Sequence, residues 1–160
     1  MGLDIYIHKR KRVEKQPTIE ELKEGLASSL MLIKNVEMFD ADYINEFIEY
    51  QQDKFGMDKE VGYFRKVNFL YAYFQDRLED EGCEVTKEDL NDIIAKCKEV
   101  LEKHDEETSK KLLPTCDGFF FGSTDYDDYY YADVQNVMDK ATEILANLHK
   151  DEELSIYFSW

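Results

Sequence analysis

The chain has 160 residues, of which 43% are hydrophobic and 35% charged, and carries a formal net charge of -16 at pH 7. That length fits a single domain, residues 1–160, with a buried core, and two Pro and seven Gly are too few for a linker-rich or disordered chain. A field of that sign repels phosphates, which argues against direct nucleic-acid binding, and no apolar run approaches a membrane span.

Residues 2–8 alternate, with Leu3, Ile5 and Ile7 on one side and Asp4, Tyr6 and His8 on the other, the pattern of a half-buried strand. The opening lacks a positive n-region before an apolar core, so it does not read as a signal peptide. Tyr6 stands where a myristoylation motif needs Ser or Thr. The basic run Lys9 to Arg12 is expected to end the strand at the surface. Thr18 and Glu21 have capping-box spacing and start a helix expected to reach about Val36, with Leu22, Leu26, Leu30 and Ile33 as its inner stripe. Asp40 or Asp42 caps a second helix carrying Tyr43, Ile44, Phe47 and Ile48, and Gly56 ends it.

A third, aromatic helix is expected over roughly 61–79. It places Val67, Leu70, Tyr71, Phe74 and Leu78 on one face and Arg65, Asn68 and Ala72 on another. An acidic turn around Gly82 follows. Thr86 opens a fourth helix with Asp89 as its box partner, and Leu90, Ile93, Ile94, Cys97, Val100 and Leu101 form its stripe. Residues 105–113 read as a short extra turn before Pro114. Gly118 to Gly122, with three consecutive Phe between the glycines, reads as a strand, because Phe is β-prone. Ser123, Thr124 and Asp125 then supply turn and cap chemistry. Val134, Val137, Met138, Ala141, Leu145 and Leu148 define a last helix, and residues 154–160 alternate as a last strand. The pattern predicts an α+β, helix-rich domain. About five helices pack on a small antiparallel or mixed sheet made of the N-terminal strand, the 118–122 strand and the C-terminal strand.

Three segments resemble an uncharacterised family of bacterial and bacteriophage proteins: the Gly2-Leu3-Asp4 start, Arg65-Lys66-Val67-Asn68, and Gly118-Phe119-Phe120-Phe121-Gly122-Ser123. The resemblance spans most of the chain and implies a bacterial, mobile-element setting. It brings no established activity.

Cys83, Cys97 and Cys116 are odd in number and lack paired spacing. They predict neither a disulfide framework nor a zinc ribbon, but reduced thiols in a cytoplasmic protein, Cys97 buried and inert. His104 and His149 fall near helix C-termini, where a cation is favoured. Asp125, Asp127 and Asp128 are oxygen donors at close spacing. An EF-hand loop starting at Asp125, however, would have Tyr130 and Asn136 where it needs Gly and Glu, and the simpler reading is a solvated capping turn. No metal, cofactor or catalytic residue is predicted, and there is no phosphate loop.

Two functional surfaces come out of these patterns. Tyr126, Tyr129, Tyr130 and Tyr131, interleaved with Asp125 and Asp127, have the chemistry of a recognition surface for a basic protein partner. One form is an acidic inhibitor of a nucleic-acid-handling host protein. The alternative is a small enzyme or anionic-ligand site, with Arg65, Lys66 and Asn68 on one side and Phe120, Ser123 and the rest of the 123–130 turn on the other.

Overall fold

A computed structural model describes residues 2–12, 18–34, 39–55 and 58–160. Backbone contacts divide the chain into two compact units, Met1–Lys9 with Glu60–Trp160, and Arg10–Lys59. The described residues form six helices and a four-stranded antiparallel sheet, so the chain is α+β, as its patterning predicts.

The larger unit is built on the sheet, whose order is β2-β1-β4-β3. Strand β1 (Asp4–Lys11) carries the expected alternation, with Leu3, Ile5 and Ile7 buried. It continues through the first basic residues rather than stopping before them. Strand β4 (Glu152–Ser159) buries Leu154, Ile156 and Phe158 in the same way and lies beside β1, so the first and last strands of the sequence pair at the centre of the sheet.

The two edge strands differ from the sequence reading. Strand β2 (Lys59–Arg65) occupies the start of the expected third helix. Gly62 and Phe64 turn inward while Tyr63 and Arg65 are exposed, a period of two that the dense aromatics had disguised as a helical face. Arg65 therefore does not share a helix face with Asn68 and Ala72. Helix α3 is only Asn68–Phe74, followed by a 3-10 turn at Gln75–Arg77. The supposed acidic turn around Gly82 is strand β3 (Gly82–Val85), paired antiparallel with β4 from Gly82 opposite Tyr157 to Val85 opposite Leu154. Gly82 is required there. A Cβ would lie 2.6 Å from Tyr157 Cδ1 and 2.8 Å from the Ile156 carbonyl. Residues 118–122, expected as a strand, form a turn instead.

Helices α3, α4 (Lys87–Lys103) and α6 (Asp128–Ala146) cover one face of the sheet. Their Leu70, Phe74, Leu90, Ile93, Val137 and Ala141 meet Ile7, Phe64 and Ile156 in the core. Thr86 and Asp89 form the predicted reciprocal capping box, and Cys97 and Val100 are fully buried on the predicted stripe. Burial pushes the Cys97 thiol up to about 12, so it stays protonated and inert. Helix α4 ends at His104, left-handed and stacked on Tyr131 at 3.8 Å. The extra turn before Pro114 is helix α5 (Glu106–Leu112), capped by Asp105. In α6 Ile144 is buried, and the predicted Leu145 is half-buried against the core. On the opposite face of the sheet, aromatic rings form a row across three strands: Tyr63, Tyr6, His8 and Tyr157, with successive centroids 5.3, 6.3 and 5.2 Å apart.

The smaller unit holds helices α1 (Ile19–Lys34) and α2 (Ala41–Phe55). The capping box at Thr18 and Glu21 is formed, with both reciprocal hydrogen bonds, and Asp40, not Asp42, caps α2 through the Tyr43 amide. The two described residues of the predicted inner stripe of α1, Leu26 and Leu30, are exposed. Leu26 is 62% exposed, and Met31 is exposed too. The side chains of Leu22 and Ile33, together with Val36 and Gly56, lie outside the described residues.

Candidate functional site

Leu3, Lys66 and Phe120 are far apart in the sequence and meet at one end of the sheet. The Leu3 N–H donates to the Phe120 carbonyl at 3.2 Å, and the Leu3 carbonyl accepts from the Lys66 N–H at 2.7 Å. One residue at the start of the chain thus bridges the segment after β2 and the 118–122 turn. Gly2 lies under two cationic side chains. A Cβ there would stand 3.3 Å from Lys66 Cε and 3.4 Å from Arg65 Nε. Gly122, at φ +98, lets the turn close on Lys66, whose Cβ would be 3.1 Å from a Cβ at this position.

Asn68 fastens this junction from inside. It is buried, and its amide nitrogen donates to the carbonyls of Phe121 at 3.3 Å and Ser123 at 2.9 Å. Its own carbonyl accepts from Cys116 Sγ at 3.3 Å. The Phe121 ring is buried between Tyr71 and Trp160, at 4.9 and 5.7 Å. The Phe121 N–H closes the turn onto Gly118, where a Cβ would clash with the Phe121 ring at 2.6 Å. With Phe121 anchored inward, its two neighbours point outward. Phe119 is 80% exposed and Phe120 is exposed beside it, their rings edge to face at 4.4 Å. Phe120 sits at φ +67 and Lys66 at φ +62, both left-handed, which costs a non-glycine residue about 1–2 kcal/mol.

The Gly2-Leu3-Asp4, Arg65–Asn68 and Gly118–Ser123 segments therefore form one corner of the larger unit. No protein-family model matches this chain, and no curated protein or solved structure shows significant similarity to it.

The acidic side of the corner is mostly architecture. Ser123 Oγ accepts from the Asp125 N–H at 3.0 Å. Asp127 caps α6 by accepting from the Tyr130 N–H at 3.0 Å. Tyr126 accepts from the Thr115 N–H at 3.1 Å, and the buried Tyr130 donates to the Leu113 carbonyl at 2.9 Å. Burial pushes the Tyr130 hydroxyl well above the usual phenol range. The expected tyrosine surface therefore shrinks. Tyr126 and Tyr130 hold loops, Tyr131 stacks on His104, and Tyr129 alone of the four is fully presented, at 82% exposure. Among the described residues, no three His, Cys, Asp or Glu stand together as a metal site.

On the basic side, Arg65 is half-exposed and only loosely paired, its Nε 3.8 Å from Asp4 Oδ1, and Lys66 is exposed. So Arg65, Lys66, Asn68, Phe120 and Ser123 do come together, but Asn68 spends both amide hydrogens on backbone carbonyls. Asp125, Tyr126 and Asp127 extend the same loop to α6, whose first turn carries Tyr129 and Tyr130. Among these residues no acid and base pair converge on a common point. Phe119, the most exposed aromatic of the turn, escaped the sequence reading because a strand assignment would have buried one of each neighbouring Phe pair.

Proposed function

We propose that this chain is a macromolecular binding module whose partner is a protein, engaged through the Phe119–Phe120 turn and the charged residues around it. One observation carries the reading: two adjacent phenyl rings are held in solvent by a backbone that cannot withdraw them. The turn is fixed by the Leu3, Gly118 and Asn68 hydrogen bonds and by the buried Phe121. Rigid, pre-positioned aromatic rings are the usual anchors of protein interfaces, because little entropy is lost when they are buried. Burying the rings would contribute roughly 2 kcal/mol for Phe119 and about half as much for Phe120, which is already partly covered. Asp117, Asp125, Asp127 and Asp128 flank the turn in sequence, and the chain is strongly acidic as a whole, which suits a basic partner and speeds its approach. A concrete form is an acidic inhibitor of a nucleic-acid-handling host protein, in the bacterial or phage setting that the sequence resemblance implies.

The test is capture of partners from bacterial lysate on the wild type, on Phe119→Ala/Phe120→Ala and on Arg65→Ala, followed by titration of each purified partner. The expected result is a basic protein that binds the wild type and loses at least 100-fold in affinity with the double variant, whose circular dichroism is unchanged. A partner that binds the double variant as well as the wild type would overturn the reading.

A further inference from the structure

Helix α3 has a third flank. Asn68 and Tyr71 face the 118–123 turn, Leu70 and Phe74 face the core, and Phe69, Ala72 and Tyr73 line a cavity of about 360 Å³. Its size falls in the range of small-molecule sites. Leu112 at the end of α5, with Leu113 and Pro114 after it, closes one side with apolar side chains, and Arg77, Asp89 and Lys96 also line the cavity.

The hydrogen-bonding inventory of this cavity is one-sided. Asp89 is saturated. It accepts from Arg77 twice, at 2.9 and 3.1 Å, and from the Thr86 N–H and hydroxyl at 2.8 and 2.9 Å. Tyr73 spends its hydroxyl hydrogen on Asp92 at 2.8 Å. Arg77 uses one hydrogen on each terminal nitrogen, which leaves its Nε–H and the second hydrogen of each. Lys96 uses one of its three on Asp92, at 2.7 Å. Donors are therefore left over while the carboxylate is consumed. Each of the two cations already faces a carboxylate, Arg77 with Asp89 and Lys96 with Asp92, so what the cavity offers a ligand is spare N–H hydrogens rather than excess charge.

We propose that this cavity binds a small carboxylate with an apolar or aromatic body. Its carboxylate lies against Arg77 and Lys96, and its body against Phe69, Ala72, Leu113 and Pro114. The site lies within the larger unit and is independent of the protein-binding reading of the Phe119–Phe120 turn.

The test is a ¹H–¹⁵N NMR titration of the full chain with phenylacetate, cyclohexanecarboxylate and hexanoate, with phenylacetamide as the neutral control. At least one carboxylate is expected to give saturable shifts centred on Phe69, Ala72, Tyr73, Leu112 and Leu113, with a dissociation constant below about 1 mM. Lys96→Met should weaken that binding at least 10-fold, and phenylacetamide should bind at least 10-fold more weakly than phenylacetate. Ala72→Leu, which fills the cavity, should abolish binding. Lys96 is at the surface, so its variant keeps the test open if Ala72→Leu misfolds. The absence of saturable shifts with all three carboxylates would overturn the proposal, and so would equal binding by Lys96→Met or by the amide.

Discussion

Arg77 grips Asp89 with both terminal nitrogens, at 2.9 and 3.1 Å, while the same carboxylate closes the capping box of α4. One side chain thus ties the turn after α3 to the start of α4. Burial alone would raise the Asp89 carboxyl, but the hydrogen bonds from Arg77 and Thr86 outweigh it and hold the group below the usual carboxylate range. A depressed folded-state pKa stabilises the fold above the unfolded value near 3.9, and that contribution is lost as pH falls through the folded value. Asp89→Asn should therefore cost about 1–2 kcal/mol at pH 7, reduced from a fully buried pair because Arg77 is partly solvated. Urea denaturation of both proteins should show the gap narrowing as the pH is lowered towards about 3. A gap that is constant with pH would show that the charge of Asp89 contributes nothing.

Asn68→Ala should destabilise the protein by about 2 kcal/mol, because it leaves the Phe121 and Ser123 carbonyls without their donor. Asn68→Asp should cost more, since a carboxylate would face two carbonyl oxygens. Hydrogen exchange should show the amides of 118–125 losing protection before those of α4. Uniform loss across the fold would contradict a local fastening role.

Gly82 and Gly62 make a matched pair of tests. A Cβ at Gly82 meets the Ile156 carbonyl at 2.8 Å, whereas at Gly62 the nearest atom is Ile7 Cβ at 3.4 Å. Gly82→Ala should lose about 2–3 kcal/mol through forced displacement of β3 from β4, and Gly62→Ala should stay within about 1 kcal/mol of the wild type. Thermal melts of both would check the contrast.

Phe120 carries the left-handed strain of the turn while its ring is half in solvent. Phe120→Gly should leave stability unchanged or raise it by up to about 1 kcal/mol, because glycine accepts that backbone without a Cβ penalty. A clear drop in melting temperature would mean that the Phe120 ring is needed for the fold, and would remove it from the proposed binding surface.

Thiol labelling at pH 8 should separate the three cysteines. Cys97 is fully buried and should resist iodoacetamide until the protein unfolds, while Cys83 and Cys116 are half-buried and should react first. Labelling of native Cys97 at the rate of the other two would contradict the packing of α4 against α6.

Residues whose structure depends on near neighbours were legible in the sequence. Strands β1 and β4 follow a strict alternation, and the Thr18 and Thr86 boxes need only residues three apart. Elements whose structure depends on distant partners were not. Val61 to Arg65 has aromatics dense enough to fit a period of two or of 3.6, and only pairing with β1 selects the former. Gly82-Cys83-Glu84-Val85 has little strand character alone and becomes a strand because β4 offers it an edge. The Phe triplet has high strand propensity, yet Gly118 and Gly122 bend it and Asn68 pins it. At the corner, the meeting of Arg65, Lys66, Asn68, Phe120 and Ser123 could be anticipated. That Tyr126 and Tyr130 spend their hydroxyls on Thr115 and Leu113 could not, because those contacts depend on how the loop folds back.

The central pairing of β1 with β4 sets the order of events during synthesis. β1 leaves the ribosome roughly 140 residues ahead of the strand it must join, on the order of ten seconds at ordinary elongation rates. Through that interval Leu3, Ile5 and Ile7 have no completed sheet to enter, while α4, with its own cap, can already form. Premature release before residue 152 should therefore yield aggregating chains rather than a smaller folded product.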